Sequence, residues 1–168
     1  MKRHLHFFAV AASGLIFIAA LNISVVAQTK KASAVISKTE RMLKEIKANY
    51  SPFQGKGTFI VSYKGKEKAE IDVILIETED VVVILADVAA GKEIDLTLDL
   101  MKRLLEYNTQ TDYIKVGISD LGSIRVQSEQ ELLAINGKIF GKILDQVAAG
   151  ADEVAKILAP GRKGTAVN

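Results

Sequence analysis

Apolar and polar positions follow two periods along this chain, and the order of the periods predicts its secondary structure. Apolar residues recur at helical spacing up to Ser51-Pro52, where the proline disfavours helical backbone in the residue before it. Three strand-like stretches bounded by turn residues follow, then a helical stretch, two alternating stretches and a last helical stretch. The predicted elements are a helix at about 35–50, strands at about 58–63, 69–77 and 81–88, a helix at about 100–108, strands at about 114–118 and 124–126, and a final helix from about 128.

Short links between the strands predict antiparallel pairing, because parallel pairing needs long crossover connections. The fold class is therefore α+β in the order α-β-β-β-α-β-β-α, with a five-stranded, mainly antiparallel sheet packed with helices. Ser128-Glu129-Gln130-Glu131 fits a capping box at the start of the last helix, and that helix is expected to break near Gly150. The residues expected on the buried stripe of the second helix are Leu100, Met101, Leu104 and Leu105.

The middle strands differ from the outer ones because they are apolar on both sides. Ile74 and Ile76 alternate with other apolar residues, and every residue from 81 to 85 is apolar. A second face of this kind exposes a patch of the size that marks an interaction site, unless the protein's own helices cover both faces. The register of the third strand cannot be read from the sequence. The residues predicted to bind a protein partner on the second face are Ile60, Ile74, Ile76, Val82 and Ile84.

The first 27 residues have the pattern of an export signal. Lys2 and Arg3 precede an apolar run, and Val25-Val26-Ala27 places small residues where a signal peptidase cuts. We expect cleavage between Ala27 and Gln28, an exported protein that is periplasmic or secreted, and no stable membrane span afterwards. An uncleaved membrane anchor is the alternative, because the apolar run is nearly long enough to span a bilayer. The expected organisation is a signal peptide at 1–27, one domain at 28–159 and a flexible tail at 160–168.

The composition excludes several kinds of chemistry once the signal is removed. Both histidines lie within the signal and the chain has no cysteine, so Ser-His-Asp and Cys-His sites and the ligands preferred by zinc and copper are missing. The mature chain carries 20 basic and 20 acidic side chains, which argues against nucleic-acid binding. We expect no cofactor and no metal.

Charge is nonetheless distributed unevenly along the chain. Ten basic residues oppose three acidic ones between Lys30 and Lys68, whereas nine acidic residues oppose Lys92 alone between Ala69 and Asp99. A basic helix that meets an acidic partner or an anionic surface is one reading. Two charged elements that attract each other within one fold are the other reading.

Carboxylates are the remaining candidates for catalysis, because a pair of them is sufficient for many glycosidases. Glu70, Asp72 and Asp87 are the candidates for an extracytoplasmic hydrolase, although acidic residues on strands and turns are more often simply solvated. A carrier of a small apolar ligand, with its pocket between sheet and helices, is a further alternative.

The element order and one stretch of sequence resemble the type III secretion chaperone-like superfamily, including its YbjN-type branch. The stretch is LLEYNTQTDYIKVGISDLGSIRVQSE, and it is followed by a helix ending in AGADEVAKIL. These motifs supply a helix ending in Asn, a strand, an Asp-x-Gly turn, another strand, and a final helix with Ala151 and Asp152. The resemblance covers most of residues 33–158. It implies a small, usually dimeric, non-enzymatic module that binds polypeptides through apolar surface, and it transfers no site residue.

We therefore expect an exported, non-enzymatic and chaperone-like module. Its expected partner is another polypeptide, a second copy of itself, or both.

Overall fold

The computed structural model of the protein describes residues 36–163. The predicted signal peptide and its cleavage site between Ala27 and Gln28 lie outside the described residues, as do residues 164–168. Helices and strands follow one another as α1 (Lys38–Glu45), β1 (Tyr50–Pro52), β2 (Thr58–Tyr63), β3 (Ile71–Glu77), β4 (Val81–Ala89), α2 (Leu98–Thr109), β5 (Lys115–Ile118), β6 (Ile124–Glu131) and α3 (Gly137–Leu158).

All strands pair antiparallel in one sheet with the order β1-β2-β3-β4-β6-β5. The predicted α+β class with an antiparallel sheet is confirmed, but the sheet has six strands and not five. The additional strand is β1, which the sequence assigned to the end of the first helix. That helix ends earlier because Lys47 adopts a left-handed backbone with φ 55°, a conformation that commonly terminates helices.

The added strand explains two residues that misled the sequence interpretation. Tyr50 was expected at the end of the first helix, but it pairs with Val61 on β2 and its ring packs edge-on against Phe59, with centroids 5.6 Å apart. Pro52 ends β1 at the edge of the sheet, where a residue without an N–H group does not interrupt a ladder.

The predicted capping box at residues 128–131 is wrong. These residues lie in β6, where Ser128 pairs with Ile84 of β4 and its hydroxyl donates to the carbonyl of Tyr113 at 2.7 Å. β4 is nine residues long and mostly buried, so its backbone N–H and C=O groups need hydrogen-bond partners along most of its length. Residues 128–131 supply part of that partner strand, and this pairing outweighs the local capping motif. The helix begins nine residues later than expected, at Gly137, with Asn136 accepting from the Ile139 N–H.

The last helix is continuous, so the predicted break near Gly150 is also wrong. α3 runs for 22 residues through the glycine. A Cβ at Gly150 would lie 2.5 Å from Cδ1 of Ile114 and 3.2 Å from Cγ1 of Val126. Gly150 therefore allows α3 to approach the sheet closely.

One face of the sheet carries the hydrophobic core, and we call it the helix face. Side chains of β3, β4 and β6 on this face form one buried cluster with residues of all three helices. Val82 and Ile84, which the sequence placed on the second face, belong to this cluster and are fully buried. The members contributed by the helices include Met42, Leu43, Leu100, Phe140, Ile143, Leu144, Val147, Ala151, Val154 and Leu158.

The residues that follow α3 are hydrogen-bonded to the segment that precedes α2. The sequence predicted a flexible tail from residue 160, but Arg162 forms a β-bridge with Ile94, and the Asp95 N–H donates to the Gly161 carbonyl at 2.8 Å. The described part of the expected tail, up to Lys163, is thus packed against the segment that precedes α2.

Candidate functional site

The face opposite the helix face carries a strip of apolar side chains that crosses three neighbouring strands. Ile60 of β2 pairs with Ile74 of β3, and Ile74 pairs with Leu85 of β4. Two residues further along β3, Ile76 pairs with Val83 of β4. We call this face the open face, and these five residues the open strip.

The residues of the open strip lie outside the core. Ile60, Ile74 and Val83 are half-buried and Ile76 is 39% exposed. Leu85 is 6% exposed, yet it does not belong to the buried cluster of the helix face. Among residues 36–163, the helices place their buried apolar side chains in the cluster on the helix face.

The structure brings together three of the five residues predicted for protein binding. Ile60, Ile74 and Ile76 share the open face, whereas Val82 and Ile84 point to the helix face. Val83 and Leu85 are the β4 residues that lie on the open face instead. The difference is one residue of register. Because β4 is apolar at five consecutive positions, both registers bury an apolar set, and only pairing with β3 distinguishes them.

Acidic side chains border the open strip. On β6, Glu129 pairs with Val83 and Glu131 pairs with Val81, and both glutamates are exposed. On β3, the exposed Asp72 accepts a hydrogen bond from the Ser62 hydroxyl at 2.6 Å.

Two cations near this face, Arg125 and Lys68, have hydrogen-bond partners. Arg125 donates to Asp87 at 3.0 Å in a partly exposed ion pair. The Lys68 ammonium donates to the carbonyls of Asp87 and Val88 at 3.2 and 3.0 Å. Burial is the main cause that lowers the pKa of Lys68.

A second apolar surface lies between α2 and β5, the other edge of the sheet. The groove has a volume of about 210 Å³ and is lined almost entirely by apolar side chains. Leu105 of α2 is 65% exposed and Ile118 of β5 is 62% exposed at its rim. Leu98 and Met101 continue the exposed side of the helix, and Leu121 extends it at the turn after β5.

The sequence missed this surface because it assigned one buried stripe to α2. Leu100 is buried and Leu104 is half-buried, but Met101 and Leu105 of the predicted stripe are exposed. Five large apolar residues fall within residues 98–105, more than one side of an amphipathic helix requires. This excess of apolar residues is the feature of the sequence from which the exposed apolar side of α2 could have been predicted.

The backbone of the edge strand β5 is partly protected. The Asn108 side chain accepts from the Val116 N–H at 2.6 Å and donates to the Val116 carbonyl at 3.1 Å. An amide side chain thus takes the place that a further strand would occupy beside Val116.

The carboxylates proposed for catalysis are exposed, and two of them have side-chain hydrogen-bond partners. Asp72 and Asp87 are exposed and bound to Ser62 and Arg125, and Glu70 is exposed before β3 begins. Within residues 36–163, no group of three or more potential metal-ligating side chains occurs. The same range contains no helix with the length and apolar character needed to cross a membrane.

Asp152 and Glu77 are carboxylates whose lowered pKa values come with hydrogen bonds that hold the fold together. Asp152 accepts from the backbone N–H groups of Lys66, Glu67 and Lys68 at 2.9–3.0 Å, and these bonds lower its pKa. The Glu77 carboxylate accepts from the first N–H groups of α1. Burial raises the pKa of Glu77, but these hydrogen bonds outweigh it and the net pKa is lowered.

Chains in two solved protein complexes have a similar fold. A chain of the heterodimeric ExoU-SpcU complex from the type III secretion system of Pseudomonas aeruginosa superposes with a TM-score of 0.54 and 14% identity, over 71% of this chain and 97% of that chain. A chain of the ExsC-ExsE complex gives a TM-score of 0.53 and 17% identity, over 74% of this chain and 96% of that chain.

The chain has the type III secretion chaperone-like fold. YbjN from E. coli, described as a putative transcription regulator, is similar with a TM-score of 0.48 and 10% identity, over 74% of this chain and 89% of that chain. At 14% and 17% identity, the similarity to these two complexes concerns the fold alone. No protein-family model matches the chain, and no curated protein matches its sequence.

Proposed function

We propose that this protein is an exported, non-enzymatic module that binds another polypeptide through the open strip. The observation that carries the proposal is the set of paired apolar side chains, Ile60-Ile74-Leu85 and Ile76-Val83, on the face opposite the core. Contiguous apolar side chains outside a core are a typical feature of interaction sites. Burial of such surface against a partner contributes about 25 cal/mol for each Å² removed from water.

The groove between α2 and β5 is proposed as the contact between two copies of this chain. Leu98, Met101 and Leu105 recur at helical spacing on the exposed side of α2, and Ile118 continues the surface onto the sheet edge. A twofold pairing would pack this side of α2 against the same side of a second copy.

The groove fits a protein surface better than a small apolar ligand. Its volume of about 210 Å³ is below the range of about 300–1,000 Å³ that is usual for small-molecule pockets. The exposed side chains at its rim extend beyond the groove along α2. We therefore favour self-association over the carrier hypothesis.

Export rests on the pattern of the first 27 residues and is part of the proposal. Sequencing the amino terminus of protein recovered from the producing cell tests it. An amino terminus at Gln28 in an extracytoplasmic fraction is the expected result, and an intact Met1 contradicts it.

The mass of the recovered protein in solution tests both contacts together. Native mass spectrometry is expected to show a dimer, with a co-purified polypeptide bound. The double substitution of Leu105 and Ile118 by Glu is expected to leave a folded monomer. Ile74→Asp is expected to remove the polypeptide while the dimer remains.

Lys138→Asp serves as the matched control, because Lys138 is exposed on α3 away from both apolar surfaces. This variant is expected to retain dimer and polypeptide. The proposal fails if Ile74→Asp keeps its bound polypeptide while remaining folded. A co-purified lipid that disappears with the Leu105 and Ile118 substitutions would favour the carrier hypothesis instead.

A further inference from the structure

The chemistry of the open face identifies the kind of polypeptide that fits it. The open strip spans three strands, from Ile60 on β2 to Leu85 on β4. Neighbouring strands lie about 4.8 Å apart, so the strip is about 10 Å wide, close to the diameter of one α-helix with its side chains. One helix laid on the sheet would cover it.

The charges around the strip have one dominant sign. The strand beyond β4 contributes Glu129 and Glu131, which pair with Val83 and Val81 and project from the same face. Asp72 lies on the same face of β3, two residues from Ile74, and the exposed turn between β3 and β4 adds Glu79 and Asp80. None of these five carboxylates takes part in an ion pair among residues 36–163.

Positive groups on this face do not cancel that charge. Arg125 is paired with Asp87. Hydrogen bonds to backbone carbonyls do not neutralise the ammonium groups of Lys68 and Lys115, but these two cations are fewer than the five carboxylates. Lys115 pairs with Gln127 on the same face, and hydrogen bonds of 2.9 Å to the carbonyls of Asn108 and Thr111 hold its ammonium at the carboxyl end of α2. A partner that buries the apolar strip therefore meets acidic groups along its border.

We propose that the polypeptide bound by the open face is a cationic amphipathic helix. Its apolar side covers the open strip, and Lys or Arg side chains on its flank lie against Glu129 and Glu131. This inference rests on the proposed function, because it specifies the partner of the same site. Charge complementarity of this kind selects among partners and speeds association more than it adds affinity.

Synthetic peptides of about 18 residues, a length that gives a helix of about five turns, test the inference. The first peptide carries a Leu stripe at helical spacing with Lys at the other positions. The second replaces every Lys by Glu, and the third has the composition of the first in a scrambled order without a stripe. Fluorescence anisotropy of labelled peptides with the purified protein measures each affinity.

The Lys peptide is expected to bind at least about tenfold more tightly than the Glu peptide or the scrambled peptide at low salt. The preference over the Glu peptide is expected to shrink as ionic strength rises toward about 1 M, because salt screens exposed charges. The double substitution Glu129→Lys and Glu131→Lys is expected to reverse that preference. Circular dichroism of this variant should match the original protein, because both glutamates are exposed.

The outcomes separate this inference from the proposed function. Equal binding of Lys and Glu peptides, or a charge-reversed variant with an unchanged preference, overturns the cationic partner but not the polypeptide site. Equal binding of the scrambled peptide also overturns it, because binding then needs charge without an apolar stripe. Failure of all three peptides overturns it too, and the native-mass test with Ile74→Asp then decides the proposed function independently.

Discussion

The two faces of the sheet are built from the same residue types and have different surroundings. On β4, Val82 and Ile84 are fully buried under the helices, whereas Val83 and Leu85 lie on the open face, outside the core cluster. Consecutive residues of a strand point to opposite faces, so a shift of one position exchanges their roles. Apolar character alone does not distinguish a core residue from a residue available to a partner.

The largest expected difference between the faces comes from an identical substitution on each of them. Ile84→Asp places a carboxylate among core side chains, and we expect a loss of several kcal/mol in the free energy of unfolding, enough to prevent folding. Ile74→Asp is expected to cost at most about 1 kcal/mol, because its side chain is half-buried on the open face. Urea denaturation followed by circular dichroism compares the two variants.

If the two variants are equally destabilised, the distinction between the faces is wrong. The conservative changes Ile84→Val and Ile74→Val provide the control for residue type. The first is expected to cost about 1 kcal/mol and the second less.

A pair of glycines gives an intermediate effect. A side chain at Gly150 would collide with Ile114 and Val126, whereas a Cβ at Gly117, on an edge strand, meets no atom within 4 Å. We expect Gly150→Val to cost about 2–3 kcal/mol through overpacking, although valine has a better helix propensity than glycine. Gly117→Val is expected to be neutral or to stabilise by up to about 1 kcal/mol.

Thermal denaturation distinguishes these glycine variants by the sign of the change in melting temperature. A stable Gly150→Val variant would show that α3 does not require close approach to the sheet.

Removal of hydrogen bonds beside the α2–β5 groove and on the open face is expected to give a smaller difference in the free energy of unfolding. Asn108→Ala removes two hydrogen bonds to the half-buried Val116 backbone, and we expect a cost of about 1–2 kcal/mol. Ser62→Ala removes one exposed hydrogen bond to Asp72 on the open face and is expected to cost less than about 0.5 kcal/mol. Chemical denaturation measures both values, and equal losses would contradict the expectation.

The smallest expected effect is a change in the acid limb of the stability profile. Hydrogen bonds from Lys68, Lys66 and Glu67 lower the pKa of Asp152, so the folded state favours its carboxylate. The resulting stability is present above the ordinary pKa of an aspartate and is lost as pH falls through the lowered pKa. Asp152→Asn is therefore expected to flatten the loss of stability below about pH 4.

Glu129→Gln on the open face is the control for this experiment, because hydrogen bonds to its carboxylate are not found among the described residues. Melting temperatures of both variants and the original protein, measured between about pH 2 and pH 6, compare the loss of a hydrogen-bonded carboxylate with the loss of a charge on the open face. A flattened limb with Glu129→Gln would show that the open face also contributes to the acid response.

Much of the fold was predictable because its signals are local. Alternation marked β2, apolar runs bounded by polar turns marked β3 and β4, and the turn at residues 120–122 marked the hairpin of β5 and β6. β1 was missed because three residues ending in Pro52 resemble the end of a helix when they are considered without β2. The motif at Ser128 was misread because a capping box and a polar strand edge contain the same residue types.

The candidate site was predictable only in part, for the same reason. Ile60, Ile74 and Ile76 were placed correctly on one face because polar neighbours on β2 and β3 set the alternation. Val82 and Ile84 were assigned to the face opposite the one they occupy. β4 has no polar residue from 81 to 85 that could indicate which side chains share a face. Leu105 and Ile118 became candidates only when the structure placed α2 beside the edge strand.

The sequence by itself determined the α+β class, the antiparallel pairing and the presence of more apolar surface than one core face requires. These properties depend on periodicity and loop length, which every short segment carries. The tertiary structure decided which side of β4 faces the helices, where the last helix begins, and that α3 passes Gly150 without a break. Those outcomes depend on contacts between distant segments, and the free energy of such contacts exceeds local preference.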